Sequence, residues 1–154
     1  MEDRFMRMAI EMAVENARTG GGPFGAVIVR EARPIATGVN CVTSTKDATA
    51  HAEMVAIREA CRILGDFQLA GCDLYTSCEP CPMCAGAIYW ARLSRVYYAG
   101  TAHDAAAAGF DDSFIFKELC LAPGARKIPM IQMLHDESLA AFRAWQANPD
   151  RIRY

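Results

Sequence analysis

Cys81 and Cys84 stand three positions apart, and His51 precedes the pair by about thirty residues. Two thiols and one imidazole make the donor set of a three-ligand zinc site, in which the fourth tetrahedral position stays open to water. Glu53, two residues after His51, adds a carboxylate able to take a proton from such a water. The combination points to metal-assisted hydrolysis. Cys78 makes a second, overlapping C-x-x-C pair with Cys81. Cys81 and Cys84 are the expected ligands, because Pro82 is placed to open a helix and positions i and i+3 share one helix face. The helix N-terminus also favours thiolate. A purely structural zinc would want a fourth protein ligand, and Cys78 is the group that could supply it.

These side chains need particular elements. Residues i and i+2 point to opposite sides of a regular helix, so His51 and Glu53 can share a site only at a helix entry. The apolar positions Val55, Ala56, Ile57, Ala60, Ile63 and Leu64 predict that helix over residues 51–64, ended by Gly65. Upstream, Phe5, Met8, Ala9, Met12 and Ala13 mark an amphipathic helix over residues 4–18, stopped by Gly20-Gly21-Gly22 and Pro23. That glycine run has no Gly-Lys-Ser/Thr and precedes a strand, which excludes a P-loop. It either lets backbone approach a ligand or simply ends the helix. Residues 24–30 and 35–40 read as an antiparallel hairpin turned at 31–34, and 41–50 as a loop. Residues 72–77, 82–90 and 96–100 read as strand, helix and strand, a βαβ unit with parallel strands. Helices are expected over 105–108 and 114–119, a last strand over 130–134, and a last helix over 138–146 with Leu139, Phe142 and Trp145 inward.

The chain of 154 residues is long enough for one domain with a real core. Lys and Arg number 16 against 18 Asp and Glu, for a net charge of -2, which disfavours a nucleic-acid partner. No apolar stretch approaches the roughly 20 residues that span a bilayer, so no membrane partner is expected. The charged start fits no secretory signal. Seven cysteines, three of them within one heptapeptide, suit a metal and a reducing compartment, and the expected location is cytoplasmic. His103 and His135 are expected at the surface. Cys41, Cys61, Cys72 and Cys120 are expected as small buried apolar groups.

His51-Ala52-Glu53 with Pro80-Cys81-Pro82-Met83-Cys84 fits H-x-E…P-C-x-x-C, the signature of zinc nucleobase deaminases. The chain resembles the cytidine deaminase superfamily and, within it, the short bacterial guanine deaminases over nearly its whole length. The more specific part of the likeness is Gly22-Pro23-Phe24-Gly25-Ala26, Ala87-Ile88-Tyr89-Trp90-Ala91-Arg92, the stretch from Ala108 through Gly109-Phe110-Asp111-Asp112-Ser113-Phe114 to Ile115, and the tail ending in Tyr154. The fold expected is a single three-layer α/β/α domain, residues 1–154, around a mixed five-stranded sheet. The resemblance implies zinc-dependent hydrolysis of guanine at carbon 2 to xanthine and ammonia. It implies His51, Cys81 and Cys84 as metal ligands and Glu53 as the catalytic carboxylate. It further implies Asn40 as a hydrogen-bonding group for the base, Phe24 as the ring beneath it, Ala52 as a further substrate contact, Asp112 as the carboxylate that meets the amino group, and Tyr154 as the residue that closes the pocket. Family members form homodimers in which the C-terminal segment, about residues 125–154 here, crosses to the partner's site. The chain departs from the family at Ala48, where proline is frequent. Other readings of the same residues remain: Asn40 ending a strand, Phe24 in the core, Asp111-Asp112 capping a helix, Tyr154 frayed. Among functions, cytosine, guanosine, ammeline or transfer-RNA adenosine are the alternative substrates, and a zinc-stabilised binding module is the non-enzymatic one.

Overall fold

In the computed structural model the described residues are 3–154. The chain divides into two compact units, one through Ser113 and the other Phe114–Tyr154. The first unit is built on β1 (Gly25–Arg30), whose run of Gly, Ala, Val and Ile is buried at five of six positions. Such a run suits a strand covered on both faces. β1 pairs antiparallel with β2 (Arg33–Val39) and with β3 (Cys72–Cys78). β3 pairs in parallel with β4 (Arg95–Gly100), giving the order β2-β1-β3-β4. The hairpin turns on Glu31 and Ala32, whose φ values of 50° and 58° are those of a type I′ turn. Pro34 falls inside β2 opposite Val29, where the register shifts. An outer strand with a bulge tolerates the missing donor.

Alternation along β1 sends Ala26 and Ile28 to one face and Val27 and Val29 to the other. On the first face they pack with Ala52, Ala56, Ile57 and Ala60 of α3 (Ala52–Leu64), and Ala87 and Ile88 of α4 (Pro82–Trp90) pack against the same cluster. On the second face they meet Phe5 and Ala9 of α1 (Asp3–Arg18). Helices therefore cover both faces of the mixed sheet, as expected. Gly38 in β2 is what lets α3 sit so close, because a Cβ there would run into the Ala52 carbonyl. That contact fixes the first turn of α3, where His51 and Glu53 lie.

The structure corrects the sequence reading in several places. Among the described residues the sheet has four strands, not five: residues 130–134 form no strand. The apolar run is present there, but a strand needs a neighbouring ladder for its backbone groups, and the second unit holds no β-partner. Its elements are α6 (Ser113–Leu119), which begins at the boundary residue, a 3₁₀ turn (Pro123–Ala125) and α7 (His135–Ala147). None of the described residues in this unit is buried. Phe142 and Trp145, expected inward, are 63% and 42% exposed, because the unit lacks a second layer to cover them. The loop over 41–50 contains one helical turn, α2 (Val42–Thr45). α5 (Ala102–Ala107) starts three residues early, since Thr101 and Asp104 form a capping box. Of the four cysteines expected in the core, only Cys72 is buried; Cys120 is exposed and Cys41 and Cys61 are half-buried. His103 and His135 are exposed, as expected.

Candidate active site

His51 is the N-cap of α3, with extended backbone at φ -67° and ψ 157°. Cys81 holds the same position on α4, at φ -64° and ψ 168°, with Pro82 next. Two helix entries thus converge. The non-helical backbone of His51 lets its ring and Glu53, one residue into the first turn, reach the same place. Cys84 follows from the first turn of α4 and is fully buried.

The Nδ1 of His51 lies 3.5 Å from the Cys81 sulfur and 3.6 Å from that of Cys84. Zinc bonded tetrahedrally, at about 2.3 Å to sulfur and 2.0–2.1 Å to nitrogen, requires about 3.6 Å between such ligand atoms. The three donor atoms lie within 4.8 Å of one another, and among the described residues they are the group able to hold a metal. Cys78 is not part of it: its thiol contacts the Thr101 carbonyl at 3.5 Å. The four-ligand arrangement that a structural zinc would want is therefore not formed.

The sulfurs are electrostatically coupled. The Cys84 thiol hydrogen-bonds Cys81 and, with help from His51, pushes the Cys81 thiol down to about 4, against the effect of burial. The same hydrogen bond, reinforced by burial and by Glu53, pushes Cys84 far up. The contact with Cys81 raises His51, although burial opposes it. Burial raises Glu53, which is 6% exposed. Its Oε1 accepts a hydrogen bond from the Thr76 hydroxyl at 3.0 Å, and its Oε2 faces the Cys84 sulfur at 3.5 Å.

A cavity of about 480 Å³ opens over this cluster, within the range of small-molecule sites. His51, Glu53, Cys81, Phe24, Asn40 and Asp112 all line it, together with the glycines at 20–22. Phe24 meets Phe110 edge to face, with centroids 5.0 Å apart. Asn40 is nearly buried, and its Oδ1 accepts from the Val42 N–H at 3.3 Å. Asp111 also lines the cavity and accepts from the Ser113 N–H at 2.9 Å, while Asp112 is half-buried and is raised by that burial and then by Cys81. Ala52 is fully buried in the core and its methyl does not line the cavity. Tyr154 belongs to the second unit, where its ring meets Trp145 edge to face at 6.3 Å.

Two polar groups escaped the sequence reading. Asn16 donates through Nδ2 to the Gly22 carbonyl at 2.8 Å and to the Asn40 carbonyl at 2.9 Å, tying α1 to two walls of the cavity. Thr76 stands behind Glu53. Each had a faint signal, a polar residue at an otherwise apolar position: Asn16 continues the Ala9-Met12-Ala13 stripe, and Thr76 the inward row of Cys72 and Leu74.

The profile described as the cytidine and deoxycytidylate deaminase zinc-binding region matches residues 1–100. The guanine deaminase of Bacillus subtilis is 52% identical over 153 residues, 99% of this chain and 98% of that protein. The X-ray structure of that enzyme covers 100% of this chain and 99% of its own, with a TM-score of 0.97. A guanine deaminase structure from Nitrosomonas europaea is 33% identical, covers 73% of this chain and 65% of its own, and has a TM-score of 0.68. A tRNA-specific adenosine deaminase of Agrobacterium fabrum is 47% identical, but over 58% of this chain and 61% of that protein. The chain belongs to the cytidine and deoxycytidylate deaminase zinc-binding family and, within it, groups with the short bacterial guanine deaminases.

Proposed function

We propose that the protein is a zinc-dependent guanine deaminase that hydrolyses guanine to xanthine and ammonia. The observation that carries this reading is the 52% identity to a guanine deaminase over 99% of the chain, whereas the transfer-RNA adenosine deaminase of Agrobacterium fabrum aligns over 58% of it. His51, Cys81 and Cys84 hold the metal, and their spacing and chemistry fit it. Zinc in such a site supplies a water whose pKa is lowered to about 7.

The chain's own groups do the rest. Glu53, on the oxygen that faces the metal cluster, takes the first proton of the attacking water and passes it to the ring nitrogen. It then takes the proton of the hydroxyl added at carbon 2 and passes it to the amine, which leaves as ammonia. Its burial supports this, because a carboxyl raised by desolvation is suited to carrying a proton in both directions. Phe24, braced by Phe110, covers one face of the purine. Asn40 keeps its Oδ1 on the Val42 N–H and offers its amide nitrogen to the base. Asp112 accepts from the N–H and amino edge of guanine, which only an acceptor can satisfy. Ala52 contributes through its N–H at the start of α3, where helical N–H groups have no intrahelical partner.

The proposal extends to assembly. The two units act as one deaminase domain in a homodimer, with the segment from about residue 125 crossing over so that Tyr154 closes the partner's pocket. The apolar exposure of the second unit supports this: Ile128, Ile131 and Met133 are 80%, 79% and 76% exposed, and such a surface marks an interaction site. The seven free cysteines suit a reducing compartment, in keeping with a cytoplasmic location. Among the described residues, no helix is long and apolar enough to cross a membrane.

Ammonia release from guanine, guanosine, cytosine, adenine and ammeline tests the substrate. Turnover of guanine above the others is the expected result. Turnover of another member alone would keep the hydrolytic chemistry and overturn the assignment of Asn40 and Asp112.

A further inference from the structure

We propose that Thr76 is a positioning residue for this deamination, its buried hydroxyl holding the Glu53 carboxylate from behind so that the other oxygen stays aimed at the metal cluster. The inference rests on the guanine deaminase reading. Thr76 continues the row of Cys72 and Leu74 along β3, both fully buried in the core beneath α3. It is itself 1% exposed. A hydroxyl in such a row is unfavourable unless hydrogen-bonded, and valine would fill the same shape without that demand. The bond it makes is to Glu53 Oε1, at 3.0 Å.

Thr76 can only act through Glu53. Glu53 lines the cavity, whereas Thr76 does not. The backbone of Thr76 is held by strands on both sides, paired to Ala26 of β1 on one and Tyr98 of β4 on the other. Glu53 is the opposite case. Its Cα is fixed by the first turn of α3, but three rotatable bonds separate Cα from the carboxylate. The Thr76 hydroxyl removes that freedom at one oxygen and leaves Oε2 facing the cluster, 3.5 Å from the Cys84 sulfur. The α3 entry thus places the residue, and the sheet aims it.

Thr76→Val and Thr76→Ser, both loaded with zinc, separate aiming from packing. In Thr76→Val, kcat on guanine should fall roughly 10- to 100-fold, the usual cost of losing a supporting hydrogen bond at a metal site. KM should stay within about twofold, as for a group that touches no substrate. Zinc content should match the wild type, and Thr76→Ser should recover most of kcat. Crystal structures of the variants read the same point without turnover. The Glu53 side chain should keep its place in Thr76→Ser and be displaced, or occupy more than one rotamer, in Thr76→Val. Wild-type kcat in Thr76→Val overturns the inference. So does a loss that comes with lost zinc or an equally raised KM, which is the mark of packing alone. Guanine left untouched by the wild type would defeat the deaminase reading instead, and the position of Glu53 in Thr76→Val would still decide the role of Thr76.

Discussion

Cys81 and Cys84 share a hydrogen bond that pushes the Cys81 thiol down to about 4 and the Cys84 thiol up. Zinc binds thiolate rather than thiol, so metal binding and proton release are coupled. The metal should therefore be held at neutral pH and lost on acidification, as protons compete for the thiolates. Zinc release followed with a chromogenic chelator from about pH 7 to about pH 4 checks this, and retention at the acid end would contradict it. Cys81→Ser and Cys84→Ser should each abolish stoichiometric zinc, whereas Cys78→Ser should keep it. Loss of zinc from Cys78→Ser would restore the four-ligand alternative. The ligand spacing was legible in the sequence because i, i+3 and H-x-E are local patterns. Which of Asp111 and Asp112 meets a base was not, because both line the cavity and the one contact that tells them apart, from the Ser113 N–H to Asp111, is set by the local turn.

Two helix entries and one glycine loop make the site. That His51 must sit at a helix start followed from geometry alone, and it caps α3. The role of α1 did not follow, since the Asn16 side chain reaches Gly22 and Asn40, the latter 24 residues away, through contacts that no local pattern encodes. Asn16→Ala should raise KM for guanine several-fold by loosening both walls, with zinc content and kcat little changed. An unchanged KM would make Asn16 a loop fastener only. Gly38→Ala tests the close seat of α3. A Cβ pressing on the Ala52 carbonyl should cost roughly 1–3 kcal/mol of stability in thermal or denaturant unfolding, and an unaltered unfolding curve would contradict that packing. The strand expected at 130–134 shows the converse limit. Alternation and apolarity give a segment the character of a strand, but only a neighbouring edge makes it one.

At the scale of the molecule the two units differ in kind. The first buries its apolar residues in two clusters around a sheet, and the second leaves Ile128, Ile131, Met133 and Phe142 largely exposed. The swapped dimer we propose predicts complementation. A chain with Glu53→Ala, mixed and refolded with a chain truncated after about residue 125, should regain activity that neither has alone. No recovery in the mixture would mean that the tail acts within its own chain. In the mechanism we propose, Glu53 performs proton transfer in guanine hydrolysis beside a zinc that it does not hold. Its most direct test is guanine turnover by the wild type and by Glu53→Gln at matched zinc content. We expect full zinc in both proteins and a loss of at least about 100-fold in kcat for the variant, the scale of a missing general base. Near-wild-type turnover by Glu53→Gln with zinc in place would contradict the account.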